Sequence, residues 1–371
     1  MILRIVLLFL FLFVVEIYAY QVVRTLVKTK AVLVSYQIIS ALLLVFIVYS
    51  FTQFDRSIGQ TSQTMRTMGL LLLVYLPKII LTLVLFGEDI FRIGFGSVNH
   101  FAKFNDSVDF FASRRKFVSQ IGLGLAAIPF LSLLYGETIG KYNYKVIKQR
   151  IFFPDLPDAF DGFTITQISD VHSGSFDNPE KINYAIDLVN EQNSDMILFT
   201  GDIVNTHAKE MHPWIDTFKK IKAHKYGKYS VLGNHDYGEY ISWPSEAAKE
   251  ENFQNIKNLY GQIDFKLMLN EHTLIEKGTD KIALVGVENW GHNFHLTLSG
   301  HTHGMQFGIE IPGVIKWSPI QYIYKQWAGL YENMGRYVYV NRGFGFHAYS
   351  GRVGIMPEIT VIELKKGKNV A

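Results

Sequence analysis

Apolar residues run along this chain on two different scales, and the change comes near residue 136. Before it lie four apolar stretches, at 2–23, 31–51, 68–86 and 117–134. Each approaches the roughly 20 residues a helix needs to cross a hydrocarbon core, and the first three are almost free of charge. They predict a bundle of about four transmembrane helices over residues 1–136. The fourth stretch, with Gly122, Gly124 and Pro129, is the least apolar. Beyond it the apolar runs shrink to strand length, at 164–168, 196–199, 230–232 and 296–298. Each leads into a polar cluster: Asp170-Val171-His172, Gly201-Asp202, Gly233-Asn234-His235-Asp236 and Gly300-His301-Thr302-His303. Such runs read as buried strands that deliver polar groups to one edge of a sheet, where open α/β sheets build their sites. After the first cluster, Asn178-Pro179 is a helix start, and Ile182, Ile186 and Val189 form a core stripe with Asp187 and Glu191 solvated.

Composition narrows the chemistry. A chain of 371 residues has room for two units. The net charge of +3, without a basic stripe, gives no reason to expect nucleic acid as a partner. No cysteine is present, which excludes disulfides, thiolate nucleophiles and Cys-zinc sites. Any metal must therefore sit on His, Asp, Asn or Glu, and eleven of the twelve histidines lie after residue 150. Those ligand types suit hard-to-borderline divalent ions. Alternate residues of an extended segment point the same way, so Asp170 and His172 can reach one ion. An Asp from a second strand can bridge two ions over a phosphoryl group.

Loop charges predict orientation. The first loop carries Arg24, Lys28 and Lys30, the second Arg56 and Arg66, and the third Arg92, Lys103, Arg114, Arg115 and Lys116. That pattern reads inside, outside, inside, and puts the following domain outside the cytoplasmic membrane as part of a multi-pass protein. Ser113-Arg114-Arg115-Lys116-Phe117-Val118 resembles a twin-arginine export signal; an ordinary positive-inside anchor reads equally well, and both give the same side. Glu16 and Lys78 interrupt the apolar stretches and are expected either to pair across the bundle or to sit near its interface. Residues 137–154, with Lys141, Lys145, Lys148 and Arg150, read as a basic stem beside anionic headgroups.

The four polar clusters, in this order, closely resemble those of the calcineurin-like metallophosphoesterases, within them the membrane-anchored bacterial branch. The resemblance runs from Asp155 to Leu364, and the domain it outlines covers 155–365. It includes the string Leu298-Ser299-Gly300-His301-Thr302-His303-Gly304-Met305-Gln306 and the tail Tyr339-Val340-Asn341-Arg342-Gly343-Phe344-Gly345-Phe346. It implies an α/β fold, a four-layer α/β/β/α sandwich. It implies two divalent metal ions of the manganese, iron or zinc class. Asp170, His172, Asp202 and His303 would hold the first; Asp202, as a bridge, with Asn234 and His301 would hold the second. His235 would be the catalytic residue, contacting the phosphate and protonating the leaving oxygen, a role suited to a side chain that titrates near pH 6.5. Asp236 would orient its neighbours. The implied activity is hydrolysis of phosphomonoesters or phosphodiesters, with a metal-bound hydroxide attacking in line at a binuclear site. For a membrane-tethered domain, a lipid- or envelope-linked phosphate ester is a plausible substrate class.

One segment departs from the family pattern. Relatives carry a further strand, a helix and a histidine-bearing loop between the stretches that here read Val287-Glu288-Asn289-Trp290-Gly291 and Leu296 onward. A few dozen residues, including a second-metal histidine, are missing between Trp290 and Leu296. His295 stands where Asp is usual, and His292 is the nearby replacement candidate. The second metal site is expected to be weak, and sheet surface that the lost strand covered is expected to need another cover. The alternative function is a degenerate, weakly active or inactive domain serving as a membrane-tethered binding module. His207, His212, His224, His272 and His347 carry no motif and are expected in loops or at the surface. Trp214, Trp243, Tyr322, Tyr324 and Trp327 read as core or rim before they read as a substrate wall.

Overall fold

The computed structural model describes residues 2–55, 57–102, 108–288 and 294–368. They fall into two units, 1–54 with 66–135, and 55–65 with 136–371.

The first unit contains α1 (Ile2–Leu26), α2 (Lys30–Thr52), most of α3 (Ser62–Ala102) and nearly all of α4 (Val108–Thr138). All four helices are long and apolar enough to cross a membrane. Large apolar side chains such as Leu42, Val45 and Leu83 stay exposed on the bundle, as a lipid-facing surface requires. Inside it, Lys78 Nζ donates to Glu16 Oε1 at 2.7 Å and to Ser40 Oγ at 2.9 Å. Of the two expectations for these charges, pairing is the one found: each intramembrane charge is held by the other. Arg115 donates to Glu88 and Gln21, both at 2.6 Å, and also pairs with Asp89.

The second unit is an α/β domain. Its strands are β1 (Lys145–Phe153), β2 (Thr164–Ile168), β3 (Met196–Thr200), β4 (Lys228–Val231), β5 (Lys266–Leu267), β6 (Glu271–Lys277) and β7 (Asp280–Gly286). Then come β8 (Leu296–Ser299), β9 (Ile309–Ile311), β10 (Ile315–Trp317), β11 (Gly329–Asn333), β12 (Arg336–Val340) and β13 (Glu358–Lys366). The helices are α5 (Pro179–Glu191), the single-turn α6 (Ile215–Phe218) and α7 (Glu246–Gln262). The main sheet has the order β1-β13-β2-β3-β4-β5 and is parallel except where β13 meets β2. Residues 145–153, read from the sequence as stem, instead form its edge strand. Ile151 and Phe153 are buried in the sheet core, while Lys148 and Arg150 stay on the open side.

Alternation along the central strands explains the layers. Ile197 and Phe199 turn to one face, where Ile182, Ile186 and Val189 of α5 and Ile256 and Tyr260 of α7 pack. Met196 and Leu198 turn to the other, against Ile275, Tyr339 and the partly buried Leu296 and Leu298. Asn178 caps α5 by accepting from the Lys181 N–H at 3.1 Å, with Pro179 opening the helix. Asp187 and Glu191 are exposed.

The second layer is split. β6 pairs with β7, and β12 pairs with both β8 and β11, but among the described residues β7 and β8 do not pair with each other. Between them lies a cavity of about 570 Å³ lined by Met196, Leu198, Ile282, Leu284, Leu296 and Leu298 among others. The edges of β7 and β8 border an apolar hollow there. His292 lies outside the described residues. Residues 55–65, the connection after α2 and the first turn of α3, also belong to this unit. Met65 joins its core, and Gln60 Oε1 accepts from the Ala348 N–H at 3.0 Å.

Candidate metal centre

The neighbouring parallel strands β2, β3 and β4 lead into Asp170, Asp202 and Asn234 at one edge of the main sheet, and β8 of the second layer leads into His301, whose N–H donates to Asp170 Oδ1 at 2.8 Å. The loops after β2 and β3 are then zipped together. The Asp170 N–H donates to Gly201 O at 2.9 Å, and the His172 N–H donates to Asp202 O at 3.0 Å. Asp170, His172, Asp202, His301 and His303 all have positive φ, between 47° and 82°. L-residues rarely adopt that backbone, and such strain collects at functional sites. Two glycines make room: a Cβ at Gly300 would lie 2.0 Å from Asp170 Oδ2, and one at Gly233 would lie 2.2 Å from Asp202 Oδ1.

Asp170, His172 and His303 offer ligand atoms that all lie within 4.8 Å of one another, and all three residues are buried. His303 Nε2 is 3.4 Å from Asp170 Oδ1, and His172 Nε2 is 3.8 Å from Asp202 Oδ2. Asp170 Oδ2 and His172 Nε2 are buried with no hydrogen-bond partner among the described residues. A buried acceptor left unmade is costly, and a cation would satisfy both atoms. The donor set therefore fits a divalent ion. Burial pushes the Asp170 carboxyl up to about 6. It raises Asp202 further, where the negative Asp170 and Asp236 add repulsion. Burial holds His172 and His303 well below the usual imidazole value. A bound cation reverses the pressure on the carboxylates. The Arg352 guanidinium stands 3.2 Å from His303 Nδ1, so ligation through Nε2, which leaves the proton on Nδ1, must shift one of these groups.

The other side of the cleft is open. Asn234 Oδ1 and His301 Nδ1 are 2.7 Å apart and bond each other. The Asn234 amide also donates to Tyr240 OH at 2.7 Å, and His301 Nε2 lies 3.2 Å from Tyr324 OH. His235 sits between the two sides. Its N–H donates to Asp202 Oδ1 at 2.7 Å, and its Nδ1 is 2.8 Å from the Asn205 carbonyl oxygen. Asp236 accepts from the N–H groups of Asp202, Ile203 and Gly233 and from Tyr260 OH, all at 2.8–3.0 Å, which locks the loops after β3 and β4 together.

Three residues of this neighbourhood were not singled out in the sequence. Asn205, three positions after Asp202, reaches His172 Nδ1 with its side chain at 3.0 Å as well as His235 with its carbonyl. Arg352 is fully buried and ties the carbonyls of Arg342, Gly343 and Gly345. His347, expected in an unremarkable loop, packs on His172 and His235 with ring centroids at 4.7 and 4.4 Å. Its signal was position: it follows directly on the glycine-rich tail, whose Phe344 and Gly345 N–H groups bond Ser169 and Asp170 carbonyls. His295 lies before the start of β8, at the strand end away from His301, and pairs with exposed Asp155 at 3.4 Å. Of the aromatic residues, Trp214 and Trp327 are core, Tyr322 is exposed, and Trp243 bonds the Gly238 carbonyl. Only Tyr324 reaches a candidate ligand among these five.

Residues 163–305, which span every candidate ligand, match the family model of the calcineurin-like phosphoesterases. Residues 2–141 match that of a probable calcineurin-like phosphoesterase transmembrane domain. The uncharacterized metallophosphoesterase YkuE of Bacillus subtilis is 31% identical over 282 residues, 68% of this chain and 98% of its own length. YkoQ of the same organism, also an uncharacterized metallophosphoesterase, is 25% identical over 282 residues, 64% of this chain and 97% of its own. A zebrafish transmembrane protein with metallophosphoesterase domain is 25% identical over 272 residues, 63% of this chain and 60% of its own.

Proposed function

The chain belongs to the calcineurin-like metallophosphoesterases, and from that premise we propose that it is a membrane-tethered, metal-dependent hydrolase of phosphomonoesters or phosphodiesters. The observation that carries the reading is the buried trio Asp170, His172 and His303, whose ligand atoms lie within 4.8 Å of one another, with Asp170 Oδ2 and His172 Nε2 lacking a hydrogen-bond partner among the described residues. These residues and Asp202 would hold the first cation, and Asp202, Asn234 and His301 the second. Bound divalent ions supply Lewis acidity, polarising a phosphoryl oxygen and acidifying water.

The chain's own groups do the rest. The Asn205 carbonyl accepts Nδ1–H of His235, which leaves Nε2 to hand a proton to the leaving oxygen. Burial, with His301 nearby, keeps His235 below the usual imidazole value, and a phosphate dianion alongside would raise it. Tyr240 stacks on His235 with centroids 4.5 Å apart and keeps the ring from turning away. Asp236 fixes the loop that carries Asn234 and His235.

Loop charges support an extracytoplasmic catalytic domain in the cytoplasmic membrane, and the loop 55–65, assigned outside on the same count, is part of the catalytic unit. Protease added to intact spheroplasts should then remove the segment after Lys141. Its protection would overturn the orientation.

Manganese, iron or zinc should stimulate hydrolysis of nitrophenyl phosphate or its diester by the detergent-purified chain, and chelator should abolish it. The split second layer and the self-bonded Asn234–His301 pair favour a second reading, a domain that holds one cation and binds phosphate esters with little turnover. Metal uptake without hydrolysis would select it; no metal uptake would refute both.

A further inference from the structure

His172 can give a cation only one nitrogen. Its Nδ1 is engaged 3.0 Å from Asn205 Oδ1, and its Nε2 has no partner among the described residues. Two groups of ligand atoms include His172: Asp170, His172 and His303, and His172, His235 and His347, each with its atoms within 4.8 Å of one another. With Nδ1 held by Asn205, Nε2 is the atom of His172 that both groups can share. They are two sides of one position rather than two sites.

His347 is built to face that position. Its ring stacks on His172 with an interplanar angle of 27° and meets His235 nearly edge-on at 66°. Its Nδ1 lies 3.3 Å from Asn205 Oδ1, the same oxygen that orients His172, so that Nε2 is the nitrogen left for a ligand. The loop behind it is fixed. Gln306, buried, accepts from the His347 N–H and donates to the Tyr349 and Gly351 carbonyls at 3.1 Å. On the other flank, Gly345 is anchored to the Asp170 carbonyl at 2.9 Å.

We propose that His347 is a further ligand of the cation held by Asp170, His172 and His303. This rests on the metal reading above. Three imidazoles on one ion favour a zinc-class cation over magnesium. The ligand would strengthen the half of the site that the shortened segment leaves intact.

The test uses the full chain in detergent, stripped by chelator and titrated with zinc alone by calorimetry, with cobalt absorption as a second signal. His347→Gln should weaken zinc binding by about tenfold or more and alter the cobalt band, whereas His347→Asp, which can still ligate, should restore most of the affinity. His172→Ala should abolish the site, and His295→Ala should leave it unchanged. Wild-type affinity and an unchanged cobalt band in His347→Gln, with the site lost in His172→Ala, would overturn the proposal and leave the metal reading standing. No zinc uptake by the wild type would overturn both. X-ray absorption of the wild type loaded with one equivalent of zinc needs no variant: three imidazoles are expected, and two would refute the assignment.

Discussion

The two sides of the cleft carry similar ligand types and behave in opposite ways. On the first, Asp170, His172 and His303 are at most 8% exposed, and two of their ligand atoms bond nothing among the described residues. On the second, Asn234 and His301 satisfy each other and two tyrosines at an open surface. Burial leaves the first set's open acceptors away from solvent, which favours a cation there. The second set has already found partners, and an ion must break those bonds before it gains its own. Ligand identity is therefore a poor guide to affinity; what the ligands do without the ion decides it.

The largest expected effect removes the residue that touches both sides. Asp202→Ala should lose bound metal and reduce nitrophenyl phosphate hydrolysis to background, since Asp202 faces His172 and also holds the His235 backbone. Activity at the wild-type level would break the assignment. Asn234→Ala and His301→Ala should each lower turnover by about 10–100-fold yet retain the first cation, measured as metal content beside rate. Loss of all metal in either variant would erase the distinction between the sides.

A pH dependence should separate the sides further. Asp170 is pushed up to about 6 by burial, above the value near 3.9 of an unfolded chain. Between those values the folded state keeps a proton that the unfolded state has lost, so this group's contribution to stability falls as pH rises through the window and stays lost above it. A cation on the ionised carboxylate relieves that penalty. Metal should raise the melting temperature more at about pH 7.5 than at about pH 5, where it must first displace the proton. An equal rise at both would contradict a buried carboxylate ligand. The smallest effect on the site is expected from the membrane unit. Lys78→Met strands a buried Glu16 and should destabilise that unit by about 3–5 kcal/mol, while metal content stays constant. Thermal unfolding in detergent reads the first, and the double change Glu16→Leu with Lys78→Met should recover most of the loss.

Periodicity carried much of the architecture. Four long apolar runs and four short ones ending in Asp, Asn or His are enough to divide the chain and to send the candidate ligands to one sheet edge. Edge strand β1 was hidden because its alternating lysines and arginine outweighed Ile151 and Phe153 in a composition reading. His347, Asn205 and Arg352 were hidden for another reason. Each acts through tertiary neighbours far along the chain, His347 on His172 and Arg352 on His303, and no local pattern encodes such distances. From the sequence, sheet surface beside the connection between Trp290 and Leu296 was expected to need another cover; that β7 and β8 border an apolar hollow is visible only in the fold.

Elemental analysis of the full chain after gel filtration tests the contrast most directly. The account predicts one divalent cation retained per chain in metal-free buffer, and a second that appears only when the ion is kept in the buffer. Two cations retained with equal tenacity, or none at all, would contradict it.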